Sequence, residues 1–287
     1  MKIDVVVAFS GGRTSGYMCK YLINNKSSEY NFTFIYANTG QEHENTLKFV
    51  NQCDIEFGLN LIWLEAKVIH EEGKGTKHTI VTYETASRNG EPFEEVIKKY
   101  GLPNQEFIHC TRELKIKPIK SYVKEMGIKN SLLALGIRAD EYHRVKRVEN
   151  KIYPLVDFIM VTKGDILLWW KTQKFDLEVP EHLGNCKWCY KKSERKLKTL
   201  ALDYPEVFEF PKRMEENYSF HKSESVTKGR IMFRNNMQVN DIFEASKKPF
   251  KKFVEKTYFQ SSLFIQDAED DEECIEECGS LVNEDWH

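Results

Sequence analysis

Residues 3–24 set the first constraint on what this chain can fold into. An apolar run, Ile3–Ala8, passes through Phe9-Ser-Gly-Gly-Arg-Thr-Ser15 into a helix-like segment, Ser15–Asn24. A strand that runs through Ser-Gly-Gly into a helix start is a phosphate cradle. Its glycines let the backbone turn tightly and approach an anion, and the helix N-terminus offers free N–H groups at the favourable end of its dipole. The Gly-x-x-x-x-Gly-Lys spacing of a Walker loop is absent. A plain Gly-Gly turn between a strand and a helix is the competing reading of these residues alone.

The stretches that follow keep the same alternation. Phe32–Ala37 reads as a strand, Glu44–Phe57 as a helix and Asn60–Leu64 as a strand. Phe93–Tyr100 and Ile116–Met126 read as helices, and Ser131–Gly136 as a further strand. Lys163–Thr172 reads as a helix capped by Thr162. Apolar strands alternating with amphipathic helices predict an α/β fold, a doubly wound parallel sheet covered on both faces. Such sheets bind ligands beyond the carboxyl ends of their strands, where residues 9–15 and 38–42 fall. Asn38-Thr39-Gly40-Gln41-Glu42 is therefore placed to touch a nucleotide, or serves as an ordinary turn with Thr39 or Gln41 capping the next helix.

The 287 residues suffice for one large domain with appendages. The expected division is residues 1–202 as the nucleotide-binding domain, 203–262 as a helical appendage and 263–287 as an acidic tail. That tail holds ten acids and no Lys or Arg from Asp267 onward, so the net charge of −2 conceals a body, residues 1–266, carrying +8. A basic body suits a polyanion, nucleotide or nucleic acid, although a solvated mixed-charge surface explains the charge equally well. No apolar run approaches the ~20 residues of a membrane span, and the chain opens on a strand rather than a signal peptide. The expectation is a cytoplasmic protein with no membrane partner.

Seven cysteines, an odd and scattered set, do not form a disulfide framework. Cys186-Lys-Trp-Cys189 is a compact thiol pair able to grip one metal or cluster, with Cys110 as the best further ligand and His109 as another candidate. Taken alone the pair serves equally as a cluster site, a zinc site or a dithiol redox pair. Cys19 and Cys53, on helix-like segments, read as packing residues.

Taken in order, these segments resemble the phosphoadenosine-phosphosulfate (PAPS) reductase family of the PP-loop superfamily. The resemblance rests on Phe9–Ser15, Ala37–His43, Glu84–Pro92, Cys110–Pro118, Gly136–Glu141 and Gly184–Cys189, spanning about residues 1–200. It departs from the usual Ser-Gly-Gly-x-Asp-Ser loop by placing Thr14 where the Asp stands.

The resemblance implies roles. Ser10, Gly11, Gly12, Arg13, Thr14 and Ser15, with Asn38, Thr39 and Gly40, would bind an adenine nucleotide, whether ATP, PAPS or its unphosphorylated analogue APS. Arg138 and Arg144 match arginines that hold the sulfate or phosphate end, and Arg88, Arg112 and Lys115 join them as candidates, since a guanidinium grips oxyanions bidentately. In cluster-bearing relatives a Cys-Cys pair joins a later CxxC to hold a [4Fe-4S] cluster. Cys110, Cys186 and Cys189 match three of those four ligands and Thr111 stands at the fourth, leaving one iron open; three cysteines with His109 would alternatively hold zinc. Reductases of this kind end in a mobile Glu-Cys-Gly-x-His whose thiolate attacks the sulfate sulfur. Glu277-Cys278-Gly279-Ser280 offers part of it, making Cys278 the candidate nucleophile, though eight acids around Cys274 and Cys278 would raise its pKa.

Three functions follow as expectations. The first is a sulfonucleotide reductase whose Cys278 adduct a thioredoxin-type thiol resolves. The second is ATP-dependent sulfur transfer from a sulfur donor to a nucleic acid. The third is a nucleotide-binding interaction protein without catalysis.

Overall fold

Hydrophobic alternation in the first strand decides the architecture. In β1 (Ile3–Phe9) Val5, Val7 and Phe9 point to one face and Val6 and Ala8 to the other, and both sets are buried. A strand buried on both faces must sit inside a sheet with helices on each side. The computed structural model describes residues 2–222 and 229–255. The acidic segment 263–287, with Cys274 and Cys278, lies outside the described residues, as do residues 256–262.

The sheet has six strands in the order β4-β3-β2-β1-β5-β6. β2 is Tyr30–Asn38, β3 Ile62–Val68, β4 Thr76–Val81, β5 Leu132–Ala134 and β6 Lys151–Ile152. Every pairing is parallel except β3 with β4. The expected parallel α/β sheet is thus present, with an antiparallel edge strand that sequence pattern did not reveal. The order reverses at β1, with β2 and β3 on one side and β5 and β6 on the other. The crevice between β1 and β5 is therefore the switch point where such sheets take ligands.

One face carries α1 (Arg13–Asn25), α2 (Glu44–Phe57) and, later in the chain, residues 163–171. There Met18, Leu22, Phe49, Val50 and Trp170 bury the odd residues of β1. Cys19 and Cys53 sit fully buried in this layer, where burial pushes both thiols far above their ordinary range. The other face is covered by α4 (Lys117–Glu125), following α3 (Glu91–Tyr100), through Ile119, Tyr122 and Val123. α4 begins one residue later than the sequence pattern suggests, because Arg112–Ile116 forms a π-helical turn, a distortion common at functional sites.

After β6 come α5 (Pro154–Asp157) and α6 (Lys163–Lys171), the latter capped by Thr162, which accepts from Asp165 N. Then follow α7 (Glu194–Asp203), α8 (Glu209–Tyr218) and α9 (Val239–Ser246). These three helices do not stand apart from the sheet domain. Leu197, Phe208, Phe210, Met214, Phe233 and Ile242 share a third core with Phe93 and Val96 of α3, Leu114 of the π turn and Trp188. The sequence-expected boundary at residue 202 runs through this packed cluster. Among the described residues no helix is long and apolar enough to cross a membrane.

That third core buries one carboxyl. Glu215 accepts from Val239 N at 2.9 Å while its Oε1 has no partner. Burial, aided by Asp241 and Glu216 and opposed by the backbone at Val239 and Met232, pushes it from 4.5 to about 7. Its protonated form is favoured by folding, so its contribution is complete below about pH 4.5 and is lost as pH rises through about 7. Glu215→Gln should therefore flatten the decline in melting temperature between pH 5 and 8, measured by thermal denaturation beside the parent chain. Parallel profiles for the two proteins would refute this reading of Glu215.

Candidate nucleotide and sulfur site

The turn after β1 needs glycine at its first bend. Gly11 has φ +86°, and a Cβ there would come within 3.0 Å of Thr46 and 3.2 Å of Tyr36. Ser15 pins the turn from inside: its Oγ lies 2.9 Å from Ser10 Oγ, accepts from Ser10 N and donates to Gly12 O. Gly12 precedes α1 without any side-chain cap, which leaves the first-turn N–H groups available to an anion.

A cavity of about 120 Å³ opens over this loop, lined by Ser10, Gly11, Gly12, Arg13 and Thr14 together with Arg138, Lys163, Glu181 and Asn185. Arg138 is 7 % exposed and donates to Thr14 Oγ1 at 3.2 Å, so the threonine in the Asp place is the hydrogen-bond partner of the cavity's arginine. Asp140 and Glu141 flank the same guanidinium at 3.1 and 3.5 Å. Arg13 is directed elsewhere. It grips Asp176 at 2.6 and 3.1 Å and Leu177 O at 2.5 Å, fastening residues 176–177 beside the loop. Opposite, Glu181 accepts from Lys196 and Lys163 at 2.9 and 3.1 Å. Burial alone would raise its pKa, but the two ammonium groups win and hold it down at about 2.

The loop after β2 turns away from that cavity. Asn38 is fully buried and donates to Glu65 and Ser87 O, and Gly40 packs against Gly90. Neither lines the phosphate-loop cavity. α2 is capped by His43, whose Nδ1 accepts from Asn45 N, and not by Thr39 or Gln41. Instead the loop is bolted to the cysteine turn. Glu42 accepts from Thr39 N, Thr39 Oγ1 and Gln41 N, and Thr39 Oγ1 lies 3.5 Å from Cys186 Sγ. Trp188 Nε1 donates to Gln41 Oε1 at 2.5 Å, and Lys187 N to Gln41 O. Buried Lys192 closes the turn by donating to Gly184 O and Cys186 O. The sequence pattern marked Gln41 and Glu42 only as part of a nucleotide-contacting loop or a turn, with Gln41 as a capping candidate, and gave Trp188 and Lys192 no role; the polar residues crowded beside both motifs were the available signal.

A second cavity of about 30 Å³ collects Cys110, Cys186, Cys189, Thr39, Thr111 and Lys115 on its walls. Cys110 Sγ lies 3.3 Å from Tyr190 OH. Thr111 Oγ1 is buried without a hydrogen-bond partner, at the position where the resemblance put a fourth cysteine. Burial, with Glu42 and Cys189 adding, pushes the Cys186 thiol well up. Three thiols on one cavity match a thiolate-held group in kind. They fall short in closure, because among the described residues no group of three or more His, Cys, Asp and Glu side chains is arranged to hold a metal ion. His109 does not line the cavity; its ring sits 5.8 Å from Tyr100, and burial with Arg112 and Arg230 nearby lowers it to about 4.

The remaining cations already have partners. Arg88 braces Glu44 and the carbonyls of Tyr83 and Ala86, Arg144 joins Glu141, and Arg112 joins Glu113. None of the three lines either cavity. The two cavities nevertheless have one wall residue in common. Asn185, in the left-handed region at φ +56° that asparagine tolerates better than most residues, lines both. Arg138→Gln should weaken adenine-nucleotide binding about tenfold or more, the value of one charge-assisted hydrogen bond, with the circular-dichroism spectrum unchanged. Undiminished affinity in calorimetry would remove Arg138 from the anion site.

Comparison with known proteins finds one matching family and several relatives. Residues 4–159 match the phosphoadenosine phosphosulfate reductase domain, a stretch that contains the phosphate loop, Cys110 and Arg138 and ends before the Cys186–Cys189 turn. The uncharacterized nin region protein ORF290 of Escherichia phage lambda is 32 % identical over 241 residues, covering 83 % of each chain. Two uncharacterized proteins of Methanocaldococcus jannaschii are 28 % and 26 % identical over 156 and 118 residues; the matches cover 53 % and 41 % of this chain but only 27 % and 22 % of theirs. With more than half of its length matched, the chain belongs to the phosphoadenosine phosphosulfate reductase domain family.

Proposed function

We propose that the chain is an enzyme that binds an adenine nucleotide and performs sulfur chemistry on its anionic end, in the manner of a sulfonucleotide reductase. One observation carries this reading: the phosphate-loop cavity and the three-cysteine cavity share a wall at Asn185. A phosphate or sulfate held by the N–H groups after Gly11 and by Arg138 would stand next to the thiols.

In this reading Cys278 is the nucleophile. Its thiolate attacks the sulfate sulfur, the nucleoside phosphate leaves with the bonding pair, and a thioredoxin-type dithiol reduces the S-sulfocysteine to release sulfite and regenerate the thiol. Cys110, Cys186 and Cys189 would hold an iron–sulfur cluster, which supplies electron or sulfur transfer when bound; zinc is the other group these donors would take. Lys115, on the cavity wall, adds positive charge that favours thiolates there.

A second reading is ATP-dependent sulfur transfer to a nucleic acid, supported by the basic surface described below. The products separate the two. Sulfite release from PAPS or APS, lost in Cys278→Ser, is the expected outcome for the reductase; pyrophosphate release from ATP that requires RNA or DNA is expected for the transferase. Neither product with any substrate would leave nucleotide binding without catalysis. For the bound group, protein prepared without oxygen should carry iron and labile sulfide that Cys186→Ser reduces at least several-fold. Absence of both elements from the parent protein would exclude the cluster.

A further inference from the structure

A cavity of about 710 Å³, larger than either cavity above, lies beyond the carboxyl end of β3. Its walls carry Lys74, Lys98, Lys99, Lys117 and Lys222 around Tyr100, with two histidines and a single acid, Glu72. Three of the lysines have carboxylate partners that do not line the cavity: Glu71 with Lys74 at 2.5 Å, Glu95 with Lys98 at 2.7 Å, Glu113 with Lys117 at 2.8 Å. Lys99 donates to the carbonyls of Ile69 and Lys74. Among the described residues neither Lys99 nor Lys222 has a carboxylate within ion-pair distance.

Aromatic surface is interleaved with this charge. The Lys99 and Lys117 ammonium groups stand 5.5 and 5.9 Å from the centre of the Tyr100 ring. Arg230 donates to Tyr100 O at 2.9 Å and lays its guanidinium 4.3 Å over Phe107, which is 37 % exposed. From Phe107 the chain runs directly to Cys110.

Topology makes the cavity a neighbour of the proposed site. β1, β2 and β3 are parallel, so the loop of residues 69–75 leaves the same sheet edge as the phosphate loop and the loop after β2. Lys115 lines the cysteine cavity and Lys117 the basic one, two residues apart. We infer that this basic, aromatic surface binds a single strand of nucleic acid, its phosphates on the lysines and its bases against Tyr100 and Phe107. Backbone neutralisation by Lys together with sequence-tolerant stacking is the chemistry of single-strand binding. A lone inorganic anion would use neither the length of the surface nor its rings, and an acidic peptide would not use the rings. The inference stands on this surface alone, so sulfite and pyrophosphate assays decide nothing about it.

Fluorescence anisotropy of the full chain with labelled 20-nucleotide DNA and RNA strands tests it, over a series of salt concentrations. Lys74→Glu with Lys222→Glu, both on exposed side chains, should weaken binding at least tenfold and make the log–log salt dependence shallower by about 1 to 2. Phe107→Ala should weaken binding about fivefold or more through lost stacking. Adenine-nucleotide affinity should be unchanged in all variants. The inference is overturned if the parent chain does not bind the strands, or if the variants bind as it does. It is overturned equally if tripolyphosphate or polyglutamate, at matched charge, displaces the strand as well as unlabelled oligonucleotide does.

Discussion

The hydrogen bond from Trp188 to Gln41, with Glu42 gathering Thr39 and Gln41 beside it, fixes where sulfur sits in this molecule. A Cys-x-x-Cys turn has no regular structure of its own to place it. Here its tryptophan is buried in the third core between Phe93 and Phe210, and its indole N–H is directed to the loop that leaves β2. Because Gln41 and Trp188 are both buried, breaking the bond would strand a polar group away from water at a cost of about 1–3 kcal/mol. The cysteine turn is thus registered to the central sheet, whose switch point holds the phosphate loop.

Charge at the switch point is arranged just as closely. Arg13 and Arg138 flank the loop, but Arg13 secures the segment after α6 and only Arg138 meets Thr14. An aspartate at position 14 would set a third carboxylate beside Arg138, after Asp140 and Glu141. Threonine keeps the hydrogen bond without the negative charge, which leaves more of the guanidinium's field for an incoming anion. The divergence of this loop from the usual family pattern has a consequence that is electrostatic and local.

Much of the frame was legible in the sequence because its signals are local. Ile3–Ala8 followed by Ser-Gly-Gly located β1, the turn and α1, and Thr162 marked the start of α6 through a cap three residues long. β4 was not legible: Thr76–Val81 alternates polar residues on an edge, with Ile80 exposed, so no apolar stripe betrays it. Partners distant in sequence were equally hidden. Arg13 meets Asp176 from 163 residues away, and nothing near Asn38 announces that it is sealed under Ser87. Arg144 was offered as an anion ligand by its match to the family pattern and Arg88 by its type; neither signal revealed that they pair with Glu141 and Glu44. The aromatic residues of α8 and α9 likewise carried no motif, because their role is to complete a core that begins in α3.

In the function we propose, the phosphate loop and the cysteine cavity form one site with Asn185 between them. A crystal structure of the chain with a bound adenine nucleotide measures this directly. The anionic end of the nucleotide is expected on the backbone N–H groups of residues 11–14 and on Arg138, in contact with Asn185. Phosphates bound elsewhere, with residues 10–14 and Arg138 untouched, would contradict it.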